Sequence, residues 1–291
     1  MTAFSLMTWN VRYFGHGLGG LRATDGWIRL AARAVARLDR LPDVIALQEV
    51  ETASLRGGLK SGQLPRFLDH LHIALHDRGE HDGYQGLHFA AHRYGLRRSP
   101  ALYTTGLAVL VREGITVESS TEHEVTSIPA LPLRRLKQRR IVAHVRVRRP
   151  GSPRALDLFN THLSLPAFLE VGPHRVHERL GHGTNQIAEA TGVLDFLDRQ
   201  RGDHAVVLGD LNAAPGTPAY RAFTDRGLVD AHRHSEDHAS ARFFNWLLHI
   251  DHVFATPSVR WDAFHAHRID ERGPFQGLSD HAPKVGHLRL A

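Results

Sequence analysis

The sequence places polar side chains at the ends of short apolar stretches that are typical of β-strands. Such positions suit an active site, because a polar group that is buried without a partner is costly. The carboxylate and amide oxygens in this set can bind Mg²⁺, and its histidines can donate or accept protons. The set comprises Asn10 in TWNV, Glu49 in ALQEV, His162 in LFNTHL, Asp210 and Asn212 in VVLGDLN, Asp251 in HIDHVFA, and Asp280 with His281 in LSDHAP.

The surrounding sequence predicts many short strands and fewer helices. Helical spacing predicts one helix that begins after Thr24 or Asp25, a second from Thr184, and a shorter one over 217–226. Short strands with flanking helices predict two sheets packed face to face, with the helices outside. Strands are predicted at 3–13, 43–50, 84–92, 105–112, 141–147, 155–162, 205–210, 243–255 and 284–290.

Taken in this order, the polar motifs resemble those of the endonuclease/exonuclease/phosphatase superfamily, and the resemblance spans residues 8–283. Each short string arises often by chance, whereas six of them in the same order form a specific pattern. The resemblance implies an α/β fold, a four-layer α/β/β/α sandwich of two packed mixed sheets flanked by helices. It also implies a phosphoesterase that depends on Mg²⁺, for which Mn²⁺ can substitute. We expect one domain over 1–291.

The resemblance assigns the metal to Asn10 and Glu49, which supply an amide oxygen and a carboxylate oxygen. Asp280 is a second candidate ligand, and its alternative role is to cap the turn before the last strand.

The remaining residues are assigned to the reaction. His281 is expected beside the scissile phosphate, with Asp251 holding its ring. Either Asp210 or His281 takes the proton from water, and the sequence leaves this choice open. Asn212 and His162 are expected to stabilise the oxyanion.

Composition favours a basic protein of the cytoplasm. The formal charge is +6 with the 23 histidines left uncounted, which favours polyanionic substrates such as DNA or RNA, although a compositional preference for Arg gives the same charge. The sequence has no long apolar run, no signal-peptide pattern and no cysteine. It also lacks the HExxH motif and clustered Cys/His spacings of zinc sites. We expect no membrane span and no obligate protein partner.

Several features admit more than one interpretation. The first choice is a nuclease; the alternatives are a phosphomonoesterase, a phospholipid headgroup hydrolase or a non-catalytic polyanion-binding module. The basic run 134–140 either tracks a polyanion or protects a strand edge. Residues 165–183 are expected to border the cleft. Phe243, Phe244 and Trp246 are interpreted as core residues in preference to base-stacking ones, and His252 is expected to face away from its neighbour Asp251.

Overall fold

The computed structural model describes residues 2–16, 23–55, 62–94, 101–126, 138–166, 177–234, 239–243 and 245–291. The helices within these residues are α1 (Asp25–Ala36), α2 (Gln63–His76), α3 (Thr184–Gln200) and α4 (Pro218–Asp225). The strands are β1 (Thr2–Asn10), β2 (Val44–Gln48), β3 (Tyr84–Tyr94), β4 (Tyr103–Arg112), β5 (Thr116–Glu124), β6 (Ile141–Arg148), β7 (Ala155–His162), β8 (Ala205–Asp210), β9 (Val229–Asp230), β10 (Ala241–Phe243), β11 (Trp246–Leu248), β12 (Asp251–Ala255), β13 (Val259–Ala266) and β14 (Lys284–Leu290).

Twelve of these strands form two six-stranded mixed sheets. Sheet A has the order β13-β14-β1-β2-β4-β3, and sheet B has the order β5-β6-β7-β8-β12-β9. The pairs β1/β2 and β7/β8 are parallel, and the other pairs are antiparallel. Strands β10 and β11 form a separate hairpin.

Three apolar clusters hold the layers together. One lies between the sheets and includes Phe4 and Leu158. A second packs α1 and α2 on the outer face of sheet A, and a third packs α3 and α4 on the outer face of sheet B. Burial of this apolar surface drives the stacking of the layers. The four-layer sandwich is therefore confirmed. None of the described helices is long and apolar enough to cross a membrane.

Local signals in the sequence explain where the helices begin. The Thr24 hydroxyl accepts a hydrogen bond from the backbone N–H of Trp27, at 3.4 Å, so Thr24 is the cap of α1 and Asp25 is its first residue. Pro218 is the first residue of α4, where its missing N–H costs nothing.

Strands β7, β8 and β14 have the predicted bounds, whereas the single strand predicted over 243–255 is wrong. That segment contains the end of β10, then β11 and β12, as three separate strands. Elements α2, β5 and β13 were not predicted. Strand β5 is exposed along nearly its whole length, so it has no apolar alternation for the sequence to reveal.

A buried polar cluster lies behind β12. His252 is fully buried, and its Nε2 lies 2.8 Å from the backbone oxygen of Ala213, so it faces away from the side occupied by Asp251, as expected. The Asp230 carboxylate accepts hydrogen bonds from the backbone N–H of His232, at 2.9 Å, and from the Tyr220 hydroxyl, at 2.7 Å. Burial alone would raise the pKa of Asp230, but hydrogen bonds from His232 and His252 hold it far below the usual value.

This depressed pKa predicts how stability depends on pH. An Asp whose pKa is lowered by folding stabilises the native state above its unfolded pKa, about 4, and this contribution is lost as the pH falls further. We expect Asp230→Asn to lower the free energy of unfolding by about 2 kcal/mol at pH 7, the typical contribution of hydrogen bonds to a charged group. The difference from wild type should shrink as the pH falls below about 4.

Urea unfolding of both proteins between pH 7 and pH 3 measures this difference. The matched control is Asp39→Asn, since Asp39 is exposed. A difference that stays constant over the whole range would contradict the role assigned to the Asp230 charge.

Candidate active site

Sheet B contributes a row of three side chains from adjacent strands. His162 ends β7 and pairs in register with Asp210, which ends β8; Asp210 in turn pairs with Asp251, which begins β12. Residues that pair across neighbouring strands project from the same face of a sheet. All three are buried. The Nε2 atom of His162 lies 3.5 Å from Oδ2 of Asp210.

Sheet A contributes Asn10 and Glu49. Asn10 ends β1, and Glu49 follows β2 with a φ of 59°, in the left-handed region that is costly for a residue with a side chain. The Asn10 amide donates one hydrogen bond to Glu49, at 3.2 Å, and another to Asp210, at 3.0 Å. Its oxygen accepts a hydrogen bond from the backbone N–H of Arg12. Asn10 therefore links the two sheets at this edge.

The segment before β14 brings in Asp280 and His281. The Trp9 indole N–H donates to the backbone oxygen of His281, at 2.9 Å, and the Ser279 hydroxyl donates to the backbone oxygen of Asn10, at 2.7 Å. These two bonds attach the segment to β1. Asp280 is ion-paired with Arg12, at 2.9 Å between Oδ2 and the guanidinium nitrogen.

A cavity of about 230 Å³ opens where these elements meet. It is lined by six of the eight residues predicted for the site, namely Glu49, His162, Asp210, Asn212, Asp280 and His281. Asn10 and Asp251 lie behind this lining and hold it through hydrogen bonds. The fold thus brings residues from positions 10 to 281 to one edge of the sandwich.

His281 lies between two carboxylates. Its Nδ1 atom is 2.9 Å from Asp251 Oδ2, and its Nε2 atom is 3.7 Å from Asp210 Oδ2. Burial alone would lower the pKa of His281, but Asp251 and Asp210 raise it well above the usual value. Burial also opposes ionisation of Asp251, yet the charge and hydrogen bond of His281 keep the pKa of Asp251 low. The pair is therefore an imidazolium and a carboxylate.

Asp210 and His162 have different electrostatic environments from that pair. Burial raises the pKa of Asp210 to about 7, and Asp251 adds to the rise while the charge of His281 opposes it. Burial lowers the pKa of His162 well below the usual value, and the nearby charges of Arg140 and His281 lower it further. His162 is therefore a neutral imidazole at neutral pH.

Asn212 is positioned by its backbone as well as by its side chain. Its φ of 47° lies in the left-handed region, which Asn tolerates better than most residues. Its backbone N–H donates to Asp210, and its side-chain amide donates to the backbone oxygen of Leu163, at 2.9 Å. The amide nitrogen lies 3.3 Å from His162 Nε2, so both side chains present polar atoms at the same wall of the cavity.

The donors in the cavity fit a hard divalent cation. Burial raises the pKa of the Glu49 carboxyl, and repulsion from the Asp280 carboxylate raises it further. A cation beside these oxygens would relieve that repulsion, and carboxylate oxygens are the ligands that Mg²⁺ prefers. Atoms of Asp210, Asp251 and His281 also lie within 4.8 Å of one another, and both ring nitrogens of His281 already face carboxylates of this trio.

Several residues of the cavity were not predicted. Arg140 is buried immediately before β6 and lines the cavity, so the last residue of the basic run 134–140 contributes to the site; residues 134–137 lie outside the described part. An Arg that directly precedes an apolar strand was the available signal.

The hairpin side of the cavity corrects one interpretation. Phe243 lines the cavity and is 37% exposed, and Trp246 is 53% exposed, so their assignment to the core is wrong; Phe244 lies outside the described residues. Part of the predicted apolar run belongs to the β10–β11 hairpin, on which Phe243, Trp246 and Leu247 are exposed. Leu165 and Leu180 also line the cavity, so the described ends of 165–183 border it as expected.

Two other features among the described residues are distinct from this cavity. A cavity of about 580 Å³ opens at the opposite end of β8, beside His204, and its Arg201 and Arg226 are paired with Asp198.

The nitrogens of His232, His249 and His252 lie within 4.8 Å of one another, a group that the sequence spacing did not reveal. The buried Lys284 amine contacts His232 Nε2, so this nitrogen already has a hydrogen-bond partner.

Comparison with solved structures gives the same fold at low sequence identity. The endonuclease/exonuclease/phosphatase of Beutenbergia cavernae is 23% identical, with a TM-score of 0.68 over 100% of this chain and 72% of that chain. The mannosyl-6-phosphatase of Bacteroides thetaiotaomicron is 18% identical, with a TM-score of 0.64 over 99% and 100% of the chains. ANGEL2, a 2′,3′-cyclic phosphatase in complex with adenosine-2′,3′-vanadate, is 16% identical, with a TM-score of 0.63 over 99% and 96%.

A sequence comparison with curated proteins finds no match. The model of the endonuclease/exonuclease/phosphatase family matches residues 7–281, nearly the whole chain. The fold, the edge site and this match lead to one conclusion: the chain belongs to the endonuclease/exonuclease/phosphatase family of phosphoesterases.

Proposed function

We propose that this phosphoesterase hydrolyses phosphodiester bonds with a divalent cation, Mg²⁺ or Mn²⁺, and that its substrate is a nucleic acid. The observation that supports this most strongly is the cavity in which the His281 imidazolium, the Asp210 carboxyl and the Glu49 carboxylate face one another. Hydrolysis of a phosphodiester needs a positive charge near the phosphate oxygens, a proton acceptor for water and donors for the oxyanion.

Glu49 would hold the cation, with Asp280 beside it, and Asn10 orients the Glu49 carboxylate through its amide N–H. When bound, the cation supplies positive charge to a phosphate oxygen. The Asn10 oxygen accepts the backbone N–H of Arg12, so we assign Asn10 to orienting the Glu49 and Asp210 carboxylates through its N–H groups and not to binding the cation itself. Asp280 was also a candidate cap for the turn before the last strand. Its ion pair with Arg12 favours a role for Asp280 in the site over that capping role.

The other residues act on the phosphate and the water. His281 has a carboxylate next to each ring nitrogen, so it acts as a charged donor to the phosphate and does not take a proton from water. Asp210 is then the proton acceptor. Asn212 and the neutral His162 lie 3.3 Å apart at this wall, and an N–H of either side chain that turns toward the phosphate can stabilise the pentacovalent oxyanion. Asp251 holds the His281 ring through Nδ1, so this arrangement gives each of the eight predicted residues a chemical task.

Basic residues at the cavity favour an extended polyanion over a small phosphate monoester. Arg140 and Arg242 both line the cavity, and the chain carries a net charge of +6. The alternative is a phosphomonoesterase, because the mannosyl-6-phosphatase shares this fold. A shared fold does not determine the substrate.

Salt dependence distinguishes these substrates. Binding of a nucleic acid through several phosphates releases counterions, so we expect kcat/KM on a single-stranded oligonucleotide to fall about 10-fold or more between 50 and 200 mM NaCl. Hydrolysis of sugar 6-phosphates, measured in the same buffers, should change much less. Faster hydrolysis of sugar phosphates than of oligonucleotides, with no steep salt dependence, would favour the phosphomonoesterase.

We expect Glu49→Gln to remove the cation's charged ligand while the shape of the side chain is kept. Cleavage in Mg²⁺ should fall by roughly 100-fold or more, as expected for several kcal/mol of lost charge stabilisation. The apparent Mg²⁺ affinity should fall as well, which metal titration of the rate measures.

The control is Glu122→Gln, which changes an exposed carboxylate on β5. Turnover and metal affinity in Glu49→Gln that equal those of this control would remove Glu49 from the metal site.

We expect Asp251→Asn to weaken the charge and orientation of His281, because it replaces the carboxylate 2.9 Å from Nδ1. The kcat should fall roughly 100-fold to 10,000-fold, the range for loss of a positioned acid or base. Thermal unfolding checks that the variant is folded, and the control is Asp262→Asn, an exposed carboxylate paired with Arg289. A kcat within a few-fold of wild type would show that Asp251 does not support His281.

A further inference from the structure

One carboxylate and three imidazoles come together where β9 meets β12, outside the active-site cavity. The register pairs Phe254 of β12 with Asp230 of β9, so His252 projects from the same face of sheet B as Asp230. His232 follows β9, and His249 precedes β12. One ring nitrogen of each histidine lies within 4.8 Å of one from each of the other two. We call Asp230, His232, His249 and His252 the Asp230 cluster.

Two distances in the Asp230 cluster match the spacing of ligands around a tetrahedral metal ion. Oδ1 of Asp230 lies 3.2 Å from Nδ1 of His232, and Oδ2 of Asp230 lies 3.6 Å from Nδ1 of His252. Bonds of about 2.0–2.1 Å to tetrahedral zinc separate neighbouring ligand atoms by about 3.4 Å. The carboxylate and two of the rings are therefore already spaced for zinc, and His249 supplies a fourth donor.

Outer contacts hold two of these side chains in the orientation that a metal site needs. Nε2 of His252 lies 2.8 Å from the backbone oxygen of Ala213, which can only accept, so Nε2 carries the proton. In a neutral ring, Nδ1 then directs its lone pair toward Asp230, over a distance that is long for a hydrogen bond. Metal-binding histidines typically donate their other N–H to a carbonyl in this way. The Tyr220 hydroxyl likewise donates to the Asp230 carboxylate, at 2.7 Å.

The charges around the Asp230 cluster also favour a cation. The Asp230 carboxylate is charged although only 3% of its residue surface is exposed. Burial lowers the pKa of His232 to about 4 and that of His249 far below its usual value, so both rings are neutral. Charged carboxylates and neutral imidazoles are the forms that bind metal. The buried Lys284 amine contacts Nε2 of His232, so a metal at the cluster competes with this positive charge.

We propose that the Asp230 cluster is a structural zinc site, with Asp230 and one nitrogen from each of its three histidines as the ligands. Imidazole donors suit zinc, whereas Mg²⁺ prefers oxygen donors, so this site is distinct in chemistry from the one at Glu49. Four protein ligands leave no open position for a substrate or a reactive water. The inference is independent of the proposed phosphodiesterase function.

The place of the cluster in sheet B explains what the metal would do. Strand β9 has only two residues and lies at the edge of the sheet, where it pairs with β12. Zinc bound by residues of both strands would join this short edge to β12. Since β12 begins with Asp251, the metal would stabilise the strand that positions the carboxylate beside His281.

The test measures zinc binding in excess Mg²⁺, which keeps the active site occupied. We expect calorimetry to detect one tightly bound zinc in wild type and a loss of affinity of roughly 100-fold or more in His252→Gln and His249→Gln, since even an outer partner of a metal ligand contributes about 10-fold to 100-fold. Zinc at about 100 times its Kd should raise the Tm of wild type by several degrees. The control is His267→Gln, because His265, His267 and Glu271 form a more exposed group with a similar spacing.

Two further measurements do not depend on loss of a ligand. Lys284→Met removes the competing positive charge, so we expect it to bind zinc about 10-fold more tightly or better. Co²⁺ in place of zinc should give wild type the strong visible absorption of a tetrahedral site, and His249→Gln should lose it. The Glu49→Gln variant should bind zinc as wild type does even though its hydrolysis in Mg²⁺ is impaired, which separates this inference from the proposed function.

Three outcomes would overturn the proposal. Wild type and Lys284→Met, both folded by circular dichroism, could bind no zinc, which would make the Lys284 amine the only cation that the cluster accommodates. Zinc affinity could be lost in His267→Gln and retained in His249→Gln, which would place the metal at the more exposed group. Zinc binding could disappear in Glu49→Gln, which would place the metal in the active site.

Discussion

The hydrogen bonds from the Asn10 amide to Glu49 and Asp210 join the two sheets at the edge where the active site lies. Glu49 belongs to sheet A and Asp210 to sheet B, so this amide sets the separation of the two carboxylates. Both would repel each other if they were charged and unbridged. The carboxylates contributed by the two sheets therefore meet at one cavity because the edges of the sheets are held together.

The side-chain amide of Asn160 also connects the two sheets. Asn160 lies between the sheets, donates to the backbone oxygens of Leu47 and Ala108, and accepts a hydrogen bond from Gln48. Asn160 belongs to β7 of sheet B, whereas Leu47 and Gln48 belong to β2 and Ala108 to β4 of sheet A, so these hydrogen bonds connect the two sheets. Polar contacts as well as apolar packing therefore hold the two sheets together next to the site. They help to keep the strand ends of the two sheets aligned at this edge.

The eight polar residues could be predicted because each stands at the end of an apolar strand, and strand ends of one sheet share an edge. The row of His162, Asp210 and Asp251 follows directly from that rule once β7, β8 and β12 are adjacent. The sequence could not reveal which face the hairpin residues Phe243 and Trp246 would occupy. An apolar run is compatible with either a buried strand or a partly exposed hairpin. The sequence of the run does not distinguish the two.

Other elements were missed for related reasons. Strand β5 is a sheet edge whose exposed side chains carry no alternation, so nothing in its composition distinguishes it from a loop. The grouping of His232, His249 and His252 depends on tertiary contacts between β12 and the segment after β9, which have no fixed sequence spacing. Arg140 contributes to the cavity because it is buried, and the composition of a basic run does not predict burial. The polar residues that converge at the cavity could therefore be selected from the sequence, whereas the other residues that line the cavity could not.

The most direct test of this account is a crystal structure of the protein with Mn²⁺ and a phosphorothioate dinucleotide. Anomalous scattering should place Mn²⁺ against the Glu49 carboxylate, with a phosphate oxygen within hydrogen-bond distance of His281 and the opposite side of the phosphate facing Asp210. Manganese bound away from Glu49, at the cluster of His232, His249 and His252 for example, with no phosphate near His281, would contradict the assignment of the catalytic site.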